Sequence, residues 1–212
     1  IFCIFCIMNE RRLIMSQLKG KKIIFLGSSV TYGYAAGGVS FVDYIKERNE
    51  CIVIKEAVNG TTLVDEDDTS YISRMKHIKD EDVDLFVCQL STNDATKNKK
   101  LGNISDDFDT KTVAGAIEYI IDYVNKRWNC PVVFYTNPYI PYEPYQNMVH
   151  LLLDIQKKWN IYIVDMWNDV SFNEMGQKKW KEYMADPIHP TKAGYLEWIT
   201  PKMEEILYKI EM

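Results

Sequence analysis

The sequence is short of histidine, has no concentration of positive charge, and lacks an apolar run long enough to cross a bilayer. Three histidines occur among the 212 residues, so imidazole chemistry falls to His77, His150 or His189. The 25 Lys and Arg are outnumbered by 30 Asp and Glu, for a net charge of −5. They are also spread along the chain, which excludes the basic stripe of a nucleic-acid binder. A membrane-spanning helix needs about 20 consecutive apolar residues, whereas the apolar stretch Ile1 to Met8 is far shorter, so stable membrane insertion is not expected. The basic residues Arg11 and Arg12 follow that stretch instead of preceding it, contrary to a secretory signal. Residues 1–14 are therefore read as an apolar extension that need not belong to the fold, with Met15 as a candidate start and 15–212 as one domain. A cytoplasmic location is expected, with secretion or the cell surface as the alternative.

The cysteines number five, an odd count that argues against a disulfide framework. Cys51, Cys88 and Cys130 fall in or beside apolar runs and are expected to be free buried thiols of a reducing compartment. Cys3 and Cys6 have the spacing of a metal or redox pair, but neither a second pair nor a nearby histidine follows, so no metal or other cofactor is expected. Internal repeats, low-complexity tracts and linkers are absent too.

What the chain has in quantity is apolar and aromatic residues, 47% and 13%, within the range of globular proteins and enough for a sizeable core. Apolar runs at Lys21 to Gly27, Cys51 to Lys55, Val83 to Leu90, Pro131 to Thr136 and Ile161 to Val164 read as buried strands. Between and after them lie segments of helical period: Ser40 to Arg48, Ser70 to His77, Thr110 to Trp128, Tyr145 to Trp159 and Thr191 to Ile210. Strand and helix alternate, which predicts an α/β fold. Its architecture is a three-layer α/β/α sandwich around a mostly parallel five-stranded sheet, because parallel strands require crossovers. The acidic run Asp65 to Asp68 and the lysines from Lys97 to Lys100 read as solvated loops.

In such sheets the chemistry gathers in loops at the carboxyl ends of the strands. The first is Gly27-Ser28-Ser29-Val30-Thr31-Tyr32-Gly33, a turn that presents a serine hydroxyl and its own N–H. It matches neither a phosphate-binding loop nor a dinucleotide fingerprint, and Thr31 stands where Gly-x-Ser-x-Gly requires glycine. The second strand ends in Asn59-Gly60-Thr61-Thr62 and the third in Ser91-Thr92-Asn93-Asp94. Taken singly, Gly60 is a turn glycine and Asn93 a helix cap as readily as functional groups. The last loop, Asp186-Pro187-Ile188-His189-Pro190, is the most specific. Its spacing lets Asp186 hold one imidazole nitrogen while the other takes a proton from a hydroxyl. His77 and His150 lie in helical stretches and read as structural.

Together these four loops resemble the SGNH hydrolases, also called GDSL esterases, whose four sequence blocks they match in order from about Lys21 to Leu207. The resemblance implies the flavodoxin-like fold of that family and a serine ester hydrolase working through an acyl-enzyme. It assigns Ser29 as nucleophile, His189 as base and then acid, and Asp186 as the group that orients His189. It also implies an oxyanion hole formed by the N–H groups of Ser29 and Gly60 and the side-chain amide of Asn93. The chain departs from the family at Ser28, where Asp is usual and braces the loop, and at Ser91, where Gly is usual.

Aromatic residues surround these loops: Tyr32 and Tyr34 after the nucleophile, and the Pro- and Tyr-rich segment 137–145, with Tyr139. Tyr32 and Tyr139 are the candidate substrate contacts, for a sugar or acyl group of a small-molecule ester. The same tyrosines serve equally well as loop packing. A short-chain acyl ester, a carbohydrate acetate in particular, is the expected substrate. Acyl transfer from the same serine and an idle carbohydrate-binding module are the alternatives. Oligomeric state is not legible.

Overall fold

The five apolar runs are each shorter than a helix of ordinary length and rich in β-branched residues. In the computed structural model, which describes residues 17–212, all five are strands. They are β1 (Lys22–Gly27), β2 (Ile52–Ala57), β3 (Leu85–Gln89), β4 (Val132–Tyr135) and β5 (Tyr162–Val164). The expectations for residues 1–14, Met15, Cys3 and Cys6 lie outside the described residues. All neighbours pair in parallel in the order β2-β1-β3-β4-β5. The register sets Gly27 opposite Ala57, and Gln89 opposite Tyr135, which itself faces Val164. Every loop leaving a strand end thus starts from one edge. The chain reverses its direction of travel across the sheet between β1 and β3, and the crevice at such a reversal is where open α/β sheets hold ligands.

Because side chains alternate along a strand, this sheet buries two faces. Ile24, Leu26, Phe86, Cys88 and Phe134 point to one of them, and Ile23, Phe25, Leu85, Val87, Val133 and Tyr135 to the other, all essentially inaccessible to solvent. The helices, in chain order, are α1 (Ser29–Tyr32), α2 (Phe41–Asn49), α3 (Tyr71–Lys76), α4 (Thr92–Thr96), α5 (Val113–Arg127), α6 (Glu143–Lys158), α7 (Val170–Asn173), α8 (Gln177–Tyr183), α9 (Lys192–Gly194) and α10 (Thr200–Leu207). The apolar faces of α3, α5 and α6 cover the first side, through Ile72, Met75, Ile117, Ile121, Val149 and Leu152. The other side is covered by α2 and the C-terminal helices, through Phe41, Ile45, Tyr195, Ile199 and Met203. This is the three-layer α/β/α sandwich. Two of the longer helices, α2 and α5, start at side-chain caps set by sequence. Ser40 and Asp43 form a reciprocal capping box on α2, and the Thr112 hydroxyl accepts from Gly115 N–H on α5.

The C-terminal region differs from the single helix expected from Thr191 to Ile210. A π-helical turn, Tyr195–Ile199, separates α9 from α10. Pro201 has no N–H with which to bond back along the helix. Instead, Thr200 turns both its N–H and its hydroxyl, the latter at 2.7 Å, onto the Tyr195 carbonyl. The bulge carries Tyr195 inward, where its hydroxyl donates to the Val30 carbonyl at 2.8 Å and ties the chain's last helices to α1. The lysine and acidic loops also prove to be joined and not merely solvated, since Lys99 pairs with Glu66 and the Lys111 ammonium reaches the Asp65 carbonyl. Cys51, Cys88 and Cys130 are buried free thiols. Among the described residues, no helix is long and apolar enough to cross a membrane.

Candidate active site

Ser29 opens α1 immediately after β1, and only 6% of it is exposed. The turn is so tight that a Cβ on Gly27 would lie 1.7 Å from Thr31 Oγ1, which explains the glycine. A buried turn needs acceptors for its polar groups, and one side chain at the end of β3 supplies them. Gln89 Oε1 receives Ser28 N–H (2.9 Å), the Ser28 hydroxyl (3.3 Å), Thr31 N–H (3.4 Å) and the Thr31 hydroxyl (2.8 Å). Four donors on one oxygen fix the amide orientation, since the flipped NH₂ would face them. The Thr31 hydroxyl accepts in turn from Tyr135 OH at 2.6 Å, and burial keeps that phenol protonated by lifting it far above its ordinary range. Gln89 thus braces the loop from which Ser28 removes the family's usual carboxylate.

Arg74, from α3, holds the neighbouring loop. Buried to all but 9%, its guanidinium donates to the carbonyls of Gly27 (2.8 Å), Glu56 (2.9 Å) and Thr69 (2.9 Å) and to the Thr61 hydroxyl (3.1 Å). It also pairs with the Glu56 carboxylate at 3.1 Å. The ends of β1 and β2 are therefore clamped side by side, and in the loop beyond β2 Gly60 has a left-handed conformation of φ 76°.

The short helix α4 secures the same loop from the opposite flank. Ser91, standing where the family usually has glycine, caps α4 by accepting from Asn93 N–H (3.2 Å) and donates to the Thr61 carbonyl (3.3 Å). Asn93 Nδ2 donates to that carbonyl as well, at 2.9 Å, which leaves its second amide hydrogen to point elsewhere. One turn further on, Lys97 Nζ reaches the Gly60 carbonyl at 2.7 Å. Asp94, fully buried, accepts from Leu63 N–H (2.8 Å) and Val64 N–H (3.1 Å). Its burial raises the carboxyl above the ordinary aspartate range despite those bonds.

The histidine arrives on a loop closed at its base. Met184 bridges Pro190, Ala185 N–H donates to the His189 carbonyl (2.9 Å), and Thr191 N–H to the Tyr183 carbonyl (2.8 Å). Inside it, Asp186 Oδ1 accepts from Ile188 N–H (2.7 Å) and His189 N–H (2.8 Å), and Oδ2 from the ring Nδ1–H (2.7 Å). Burial opposes ionisation of Asp186, but these bonds outweigh it and hold the carboxyl below its ordinary range. With Nδ1 carrying the proton, Nε2 is the acceptor, and the Ser29 hydroxyl lies 2.8 Å from it across 160 residues of sequence. From the end of β4, Asn137 Nδ2 supports the loop by donating to the Ile188 carbonyl at 3.2 Å.

Ser29, His189 and Asp186 thus form one hydrogen-bonded row. Gly60 lies on the loop after β2 and Asn93 in α4, joined through the Thr61 carbonyl, and Ser29 N–H belongs to a first helical turn, where such groups have no intrahelical acceptor. Tyr139 packs on Trp167 (5.1 Å between ring centroids) and bonds Asn173 through its N–H (2.9 Å), while Tyr32 lies beneath the Lys55 ammonium, 5.8 Å away. It is Tyr34 whose ring meets His189, at 5.2 Å. His77, capping the C-terminal end of α3, and His150, on α6, are exposed, His77 with Nδ1 against the Ser73 carbonyl at 2.8 Å and His150 edge-on to Trp167. Among the described residues no group of His, Cys, Asp or Glu is placed to hold a metal ion. Sequence reasoning did not find Gln89 or Arg74. The one available signal was a glutamine closing an otherwise apolar strand.

Replacing Gln89 by leucine is expected to lower folding stability by about 1–3 kcal/mol, because it strands buried donors. It should also reduce kcat more than it raises KM, as measured by chemical denaturation and steady-state kinetics.

A family model for the GDSL-like Lipase/Acylhydrolase family matches residues 25–196. No curated protein matches the chain in sequence. Among solved structures, the chain is similar to a protein from Lactobacillus plantarum with TM-score 0.79 and 18% identity, covering 92% of this chain and 99% of that one. A member of the lipolytic protein G-D-S-L family from Veillonella parvula superposes with TM-score 0.69 at 14% identity, over 90% of this chain and 100% of the other. A carbohydrate acetylesterase family member from Sinorhizobium meliloti does so with TM-score 0.59 at 15% identity, over 89% and 98%. The chain belongs to the GDSL-like lipase/acylhydrolase family and is an ester hydrolase of the SGNH type.

Proposed function

We propose that this enzyme cleaves short-chain acyl esters, acetylated carbohydrates among them, through a covalent acyl-enzyme on Ser29. The observation that carries the reading is the 2.8 Å contact between Ser29 Oγ and His189 Nε2, with Asp186 2.7 Å behind the ring. His189 takes the serine proton as the hydroxyl attacks the ester carbonyl. The tetrahedral oxyanion is received by Ser29 N–H, Gly60 N–H and the free amide hydrogen of Asn93. Collapse expels the alcohol, which takes the proton from His189 Nε2 and leaves the acyl group on Ser29. Water then attacks with His189 again as base, releasing the acid and restoring the serine.

A small acyl group is supported by the fold shared with a carbohydrate acetylesterase family member. Asn93 is held by Thr61 before substrate arrives, so its donor needs no reorganisation during the reaction.

With p-nitrophenyl acetate, turnover should vanish in Ser29→Ala and His189→Ala, and equal rates in variant and parent would refute the proposal. Asn93→Ala should lower kcat by roughly 10²–10³-fold, the usual effect of losing one oxyanion donor. A second expectation concerns pH. The Asp186 carboxyl, held below its ordinary range, stays ionised where an unperturbed aspartate would begin to protonate, so it adds no second break to the acid limb. A plot of log kcat/KM should therefore fall with unit slope as pH decreases. A slope of two would show Asp186 titrating in the same window.

A further inference from the structure

We infer that Tyr34 is a specificity-determining residue that forms a platform for the alcohol part of the ester and favours a cyclic leaving group such as a pyranose. The inference rests on the ester-hydrolase reading above and adds to it the side of the substrate that departs. Tyr34 is 59% exposed, yet its ring centroid lies 5.2 Å from that of His189, the planes tilted by 54°. An isolated exposed aromatic is common on protein surfaces and by itself signifies nothing. This one touches the imidazole that must return a proton to the leaving oxygen. That oxygen has to come within about 3 Å of Nε2, so the group attached to it departs past the Tyr34 ring.

The backbone around Tyr34 is fixed. It starts a 3₁₀ turn, Tyr34–Ala36, which lies between Gly33 at φ 90° and Gly37 at φ 69°. A Cβ on Gly33 would lie 2.4 Å from the Val39 carbonyl oxygen, so only glycine allows the chain to double back there. Ala36 and Gly38 N–H both bond the Gly33 carbonyl, at 3.0 and 2.9 Å, and Lys55 Nζ holds the Gly38 carbonyl at 2.9 Å. The aromatic ring is therefore presented to solvent by a braced turn. A flat apolar face with a polar edge suits the C–H face of a sugar ring, which an aromatic surface binds without needing to desolvate its hydroxyls.

The test compares two acetyl esters, ethyl acetate and a monoacetylated methyl pyranoside. Both give the same acetyl-enzyme, so kcat/KM reports the step in which the leaving groups differ. Tyr34→Ala should lower kcat/KM for the pyranoside by about 3- to 10-fold, the worth of one aromatic face. The ethyl acetate value should hold within about twofold, and Tyr34→Phe should match the parent on both. Equal loss on both esters would overturn the inference, since it would mean that Tyr34 only steadies His189, and so would no loss on either. If the parent turns over neither ester in a Ser29-dependent way, the underlying ester-hydrolase reading fails first. Unchanged melting temperatures of the variants exclude misfolding as the cause.

Discussion

Ser29 sits in a turn that the sheet buries, and a buried turn survives only if its polar groups find partners. Gln89 Oε1 is that partner, taking donors from both Ser28 and Thr31, on either side of Ser29. The same side chain is anchored in β3, which pairs with β1, so the brace and the turn it supports rise from adjacent strands. The arrangement has a cost, because Gln89 Nε2 is buried without a protein partner. The four donors decide which end of the amide pays it. Ser29 thereby gains a fixed backbone from which its hydroxyl reaches His189.

Around that brace the neighbouring loops are held by side chains bonding to main-chain carbonyls. Arg74 gathers the ends of β1 and β2, while Ser91, Asn93 and Lys97 reach the carbonyls of Thr61 and Gly60 from α4. Such bonds fix peptide planes, and peptide planes aim N–H groups. Positioning an oxyanion donor is in this sense a matter of immobilising the carbonyl next to it. A planar, multiply donating guanidinium does this for several carbonyls at once, which a lysine ammonium at position 74 would not reproduce.

Much of this was legible in the sequence. Strands buried on both faces read as continuous apolar runs, so all five were recognisable, and their alternation with helices dictates the layers. The loop residues Ser29, Gly60, Asn93, Asp186 and His189 were visible because strand ends collect at one edge and because the four blocks occur in family order. The short helices α1, α4, α7 and α8 were not, since none is long enough to establish a period and each is set by a local cap or turn. The π-helical turn escaped for another reason: Pro201 signals a lost bond, but the sequence does not say that Thr200 will compensate. Gln89 and Arg74 were hidden because their value lies in partners that the fold brings together, Ser28 and Thr31 for the first and Gly27, Glu56 and Thr61 for the second. Tyr32 and Tyr34 could not be told apart from sequence, which does not show the short helix and 3₁₀ turn that set the Tyr34 ring against His189.

The closed base of the His189 loop bears on how such an enzyme diversifies. With Met184 bridged to Pro190, the carboxylate, the imidazole and their mutual bonds form a self-contained hairpin, docked to the body through Asn137 and Ser29. The segment between β5 and α8 precedes the residues that close the hairpin, which begin with Tyr183 and its neighbours at the end of α8. Grafts and insertions ahead of that closure leave the Asp186–His189 pair bonded within its own hairpin, which makes the stretch a natural entry point for evolving new selectivity.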